Sequence, residues 1–126
     1  MKIILEISSF KLINELSYKL ESFFDHIKIK GNTIFCSNIL DKGGNPVVRI
    51  DSKKPCKGLM LKVNNDSVEI KSIVNFTGEK GFASKVIESI ITSIPTNFKI
   101  LIDQDVSGGF WDNLIQKYPN VTFEKK

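Results

Sequence analysis

The spacing of apolar residues along the chain changes period several times, and each change marks an element. "KIILEIS" alternates weakly and is rich in Ile and Leu, which predicts a first strand. "SSFKLINELSYKLESFF" then places Phe10, Ile13, Leu16, Leu20, Phe23 and Phe24 at helical spacing behind a serine that can cap. "HIKIKGNTIFCSNI" switches to period two around Gly31-Asn32 and predicts a hairpin or strand pair. The stretch from Leu40 to Val74 predicts further short strands parted by turns at Gly43-Gly44-Asn45-Pro46, Lys54-Pro55 and Asn64-Asn65-Asp66. Its last strand is "VEIKSIVNF".

A glycine-bearing loop follows, and then "ASKVIESIITSI" predicts a second helix that stops at Pro95. "FKILID" is a compact strand, "SGGFWDNLIQKY" a third helical segment ending before Pro119, and "VTFEK" a last strand. The predicted order is strand, helix, several strands, then strand–helix–strand–helix–strand. That order belongs to a mixed α/β or α+β domain. No internal repeat or low-complexity linker interrupts it, and 126 residues suffice for one domain and one core.

Composition narrows the function classes. Hydrophobic residues at 41% and charged residues at 25% are those of an ordinary globular protein. The net charge of +4 comes from lysines interspersed with Glu and Asp, and Arg49 is the only arginine. Nucleic-acid readers lean on arginine and cluster their charge, so this pattern argues against a nucleic-acid partner. No run approaches the roughly 18–20 apolar residues of a membrane span. The N-terminus lacks the long apolar core of a signal peptide. The expected compartment is therefore the cytoplasm, where Cys36 and Cys56 would be reduced and packed.

Several chemistries lack their residues. His26 is the single histidine, and nothing near it supports a Ser-His-Asp or Cys-His arrangement. Two cysteines and one histidine at wide spacing make no zinc signature. Asp103 and Asp105 in "DQD" read as solvated carboxylates at a strand end rather than a magnesium site, so no metal is expected.

The stretch "NFTGEKGFASKVIES", residues 75–89, holds the most chemistry. Gly78 and Gly81 followed by Lys85 miss the Walker A spacing, and the loop lacks GxGxxG. Yet it places flexible backbone, Lys80 and Lys85 at the start of a helix. The first amides of a helix have no partners within it, and the dipole adds positive charge there. A phosphate suits such a place. On these residues alone, two readings stay open: a phosphate cradle, or a glycine turn with lysines in water.

"Gly78-Glu79-Lys80-Gly81-Phe82-Ala83" resembles the Arg/Gln-x-x-Gly-x-Gly/Ala motif of the GNAT superfamily of N-acetyltransferases, with glycine where Arg or Gln is usual. Further on, "Gln104-Asp105-Val106-Ser107-Gly108-Gly109-Phe110-Trp111" resembles that family's Asn-x-x-Ala-x-x-Phe-Tyr, with Gln for Asn, Ser for Ala and Trp for Tyr. The two stand in the family's order with a strand and helix between them, and the resemblance covers residues 59 to 123. It implies a single GNAT-like domain over residues 1–126, with a central mixed, mostly antiparallel sheet flanked by helices.

The resemblance also implies a site. The backbone of Ile73 and Val74 would pair with the pantetheine arm of acetyl-CoA. The amides of Glu79, Lys80, Gly81, Phe82, Ala83 and Ser84 would hold its pyrophosphate, and Phe110 and Trp111 would flank its tail. Plain core packing is the alternative for those two rings. Glu69 stands where many members keep a carboxylate that takes a proton from the acceptor amine; the other reading is a strand carboxylate facing solvent. The family's acid is often the tyrosine that Trp111 replaces, and Tyr118 lies two turns further along. The function so implied is acyl transfer from acetyl-CoA to an amine of a small molecule or protein, with a homodimer completing the substrate groove. The alternative is a catalytically inactive GNAT-fold interaction module.

Overall fold

The computed structural model describes residues 7–48, 56–75, 81–103 and 110–125. Helix α1 (Ile7–Leu20) leads into the hairpin β1 (His26–Lys30) and β2 (Thr33–Ser37). Then come β3 (Lys57–Val63), β4 (Ser67–Asn75), α2 (Phe82–Ser93), β5 (Lys99–Ile102), α3 (Phe110–Lys117) and β6 (Thr122–Lys125). The strands form one mixed sheet in chain order. β1 to β4 pair antiparallel, whereas β5 pairs parallel with β4 and β6 parallel with β5. The two parallel pairs are the ones whose connections contain helices, as parallel pairing demands.

The register explains which side chains meet. Ile34 lies opposite Leu61, which lies opposite Ile70, which lies opposite Ile102. Residues directly opposite share a face, so this row is apolar across four strands and fully buried. Side chains of all three helices join that face in one buried cluster: Leu16 and Leu20 from α1, Ile87 and Ile90 from α2, Trp111 and Leu114 from α3. No helix among the described residues is long and apolar enough to cross a membrane.

Four expectations need correction. The helix already starts at Ile7, so Ile7 and Ser8 are not the end of a strand, and the serines lie within the first turn rather than before it; residues 2–6 of the expected first strand lie outside the described residues. Phe10 is half exposed, at 50%, because Leu12 rather than Phe10 completes the buried stripe. The helix also ends at Leu20, and Phe23 and Phe24 follow in a turn that sets their rings edge-on to Phe82, 6.1 and 5.4 Å between centroids.

Val47 and Val48, expected in a strand, are irregular. Asp41 accepts from the amides of Gly43 and Asn45, both at 2.9 Å, and closes a turn there. The chain then runs back so that the Val47 amide donates to Ile39 O at 3.1 Å and Ser72 Oγ donates to Val48 O at 2.7 Å. Gly58 permits this crossing: a Cβ there would lie 2.7 Å from Val47 O and 3.1 Å from Val48 Cα. The expected turn at Lys54-Pro55 lies outside the described residues.

Candidate functional site

The site is built where β4 leaves β5. Parallel pairing runs from Ser67–Lys99 to Ile70–Ile102, and the Asp103 amide extends it with a bond to Ile70 O at 3.1 Å. β4 continues to Asn75, whereas among the described residues β5 offers no strand partner beyond this point. At the same place the pairing with β3 shifts: Met60 lies opposite Ser72 but Leu61 opposite Ile70, so Lys71 is the extra residue of a bulge. Bulges bend a strand and re-aim its side chains. The fork, as we call this place, is thus the end of the described β4–β5 pairing just after Ile70, next to the bulge.

Glu69 stands at the base of this fork. It is only 3% exposed, so it is not a carboxylate facing solvent. Lys71 Nζ donates to Glu69 Oε2 at 3.1 Å and lies 3.6 Å from Asp103 Oδ2. The hydrogen bond to Glu69 raises the Lys71 pKa above its ordinary value, with the charges of Glu69 and then Asp103 acting the same way. Lys71 and Asp103 are each about one-third exposed, so the cluster runs from a buried carboxylate to a solvent-facing rim.

Above the fork, Ile73 and Val74 are paired with Leu59 and Gly58 of β3. Among the described residues, β5 pairs with no residue of β4 beyond Ile70, so it leaves their other edge without a strand partner. The loop then enters α2 through Gly81, in the left-handed conformation with φ 78°. That angle, rather than crowding, is what asks for glycine: a Cβ at Gly81 would meet nothing within 4 Å. Among the described residues no side chain caps the helix, and its first turn holds no acidic residue. The Lys85 amide makes the first helical bond, to Gly81 O at 3.1 Å, so the amides of Phe82, Ala83 and Ser84 precede it.

Phe82 is buried, Ala83 and Ser84 are half-buried, and Lys85 is exposed. Lys57 adds a cation on the β3 side, with Nζ 4.5 Å from the centroid of the Phe82 ring. This is an environment for an anion: a left-handed glycine, leading amides and lysines, with no carboxylate in the first turn. Gly78, Glu79 and Lys80 lie outside the described residues, as do Gln104 and Asp105.

The rings of α3 occupy different depths. Trp111 is 2% exposed and belongs to the core; Phe110 is half-buried and meets it edge-on at 5.2 Å. Tyr118 follows the end of α3, and its hydroxyl donates to Glu88 Oε2 of α2 at 3.1 Å. Burial, then that hydrogen bond, raise its pKa. Its hydroxyl is thus tied to α2. Cys36 and Cys56 are free thiols and buried, with burial pushing Cys36 up to about 12.

Sequence reasoning missed Lys57, Lys71 and the ion-pairing of Asp103. Lys71 could not be found by strand alternation, because the bulge removes it from the period. Comparison with protein-family models, curated proteins and solved structures found no match.

Proposed function

We propose that this chain is an acyl-CoA-dependent N-acyltransferase of GNAT type, moving an acetyl group from acetyl-CoA to an amine of a small molecule or protein. The observation that carries the reading is the combination at one end of β4. A buried carboxylate stands where the sheet forks, and the strand beyond it leads to a left-handed glycine at the start of α2. An acyl-CoA is long, with a pyrophosphate at one part and a thioester at the other, and this combination offers something to each. The leading amides of α2 with Lys57 and Lys85 suit the pyrophosphate. The edge of Ile73 and Val74 suits the amide-bearing pantetheine arm, which can add to a strand as a peptide does.

Glu69 then has a defined task. An amine attacks a thioester only when neutral, so a carboxylate in hydrogen-bond reach that takes its proton aids the attack. The nitrogen lone pair forms the C–N bond, the C–S bond breaks, and the departing thiolate takes up a proton. Trp111 cannot supply that proton from an indole in the core, so positioning and water would carry this part. The resemblance adds a homodimer to the reading, with the partner completing the acceptor groove.

One observation favours a second reading, a GNAT-fold interaction module without catalysis: the Tyr118 hydroxyl is bonded to Glu88 of α2. Thiol release from acetyl-CoA with a panel of primary amines separates the two. Release that depends on the amine supports the transferase; saturable acetyl-CoA binding without release with any amine supports the module.

A further inference from the structure

The carboxylate assigned to proton removal is already bonded to an amine of the same chain. Lys71 Nζ lies 3.1 Å from Glu69 Oε2, which is the contact that a general base makes with an acceptor amine. The bulge gives Lys71 its place at the apex of the fork, and the segment assigned to the pantetheine arm begins two residues further on, at Ile73. Glu69 is buried, but the Lys71 side chain is 33% exposed, so a reagent from solvent can reach the amine that Glu69 holds. Asp103 holds the ammonium from the other strand of the fork at 3.6 Å.

We infer that Lys71 is itself an acyl acceptor, modified by the chain's own site from a bound acyl-CoA thioester. This inference rests on the acyl-CoA reading of the fork. In the step, the Lys71 ammonium gives one proton to Glu69, and its lone pair forms a C–N bond with the thioester carbonyl carbon. The C–S bond breaks, the thiolate takes the second proton from the nitrogen, and the proton on Glu69 passes to water. The products are an Nζ-acyl lysine, the free CoA thiol and one proton. Acylation neutralises Lys71 and ends both of its ion pairs, so the modification would alter the charge beside the base.

The test is incubation of the full chain with acetyl-CoA, followed by intact mass, peptide mapping and a calorimetric titration on the same preparation. Expected is one acetyl group on Lys71, added at least about tenfold faster than on the exposed Lys30 and Lys42, because placement beside a bound thioester has to outweigh the raised pKa that keeps Lys71 protonated. Glu69→Gln should slow it by about a hundredfold, and Lys71→Arg should leave no adduct at that position. The wild-type site selectivity needs no variant, so a misfolded Glu69→Gln does not spare the inference. Saturable acetyl-CoA binding with Lys71 unmodified, or lysines modified only in order of exposure, overturns self-acylation and leaves the acyl-CoA reading standing. Absence of binding overturns both.

Discussion

Gly81 carries the most weight of any single residue. Its φ of 78° makes every other residue costly there, by about 1–2 kcal/mol for a left-handed L-residue. Gly81→Ala should therefore lower stability by about that amount and keep acetyl-CoA binding, since a Cβ meets nothing nearby. Gly81→Glu carries the same strain and adds a carboxylate beside the leading amides, so it should abolish binding. A folded Gly81→Glu that binds as the wild type does would remove the pyrophosphate assignment. The glycine was legible in the sequence; its reason was not, because a φ angle is a property of the folded backbone.

Glu69→Gln keeps the shape and loses the proposed base, so thiol release should fall by about a hundredfold with acetyl-CoA affinity unchanged. Equal rates would take Glu69 out of the mechanism. The sequence put Glu69 on the right strand, yet it could not show the burial, which comes from neighbours distant in the chain.

Cys36 tests the core at the same scale. Burial raises its thiol from an ordinary 9.0 to about 12 in the folded chain. A raised folded pKa means that its stabilising contribution is complete below pH 9 and is lost as pH rises from there towards about 12. The slope is about 1.4 kcal/mol per pH unit within that window. Lys71, also raised, acts with the same sign at higher pH, from its ordinary 10.5 upwards. Urea unfolding across pH 9 should show a steeper loss in the wild type than in Cys36→Ala, and identical slopes would contradict the burial.

At the scale of elements, the sheet depends on one close approach. Gly58→Ala would drive a Cβ against the backbone of Val47 and Val48 and should cost about 1–3 kcal/mol in denaturant unfolding. A neutral result would mean that the crossing segment gives way freely. Trp111→Ala should cost about 3–5 kcal/mol, as loss of a buried ring does. The elements from β4 onward were legible because their apolar spacing is clean and Pro95 and Pro119 punctuate it. The segment around Val47 was not, because two valines read as a strand even when their backbone bonds go to Ile39 and a Ser72 hydroxyl. The bulge at Lys71 was hidden for a similar reason: nothing in "VEIKSIV" announces an extra residue.

For the whole molecule, the alternation of helices and strands was enough to foresee a mixed α/β domain, and strand order followed chain order. What pattern could not supply is the fork, since it depends on where β5 stops pairing with β4. The proposed site takes in Glu69, the edge of Ile73 and Val74 and the start of α2, and the central claim is that it holds acetyl-CoA. Calorimetric titration of the wild type and Gly81→Glu with acetyl-CoA at moderate salt tests it most directly. Saturable wild-type binding in the micromolar to sub-millimolar range, lost in a folded Gly81→Glu, is the predicted result. No wild-type binding, or equal binding by both chains, would contradict the account.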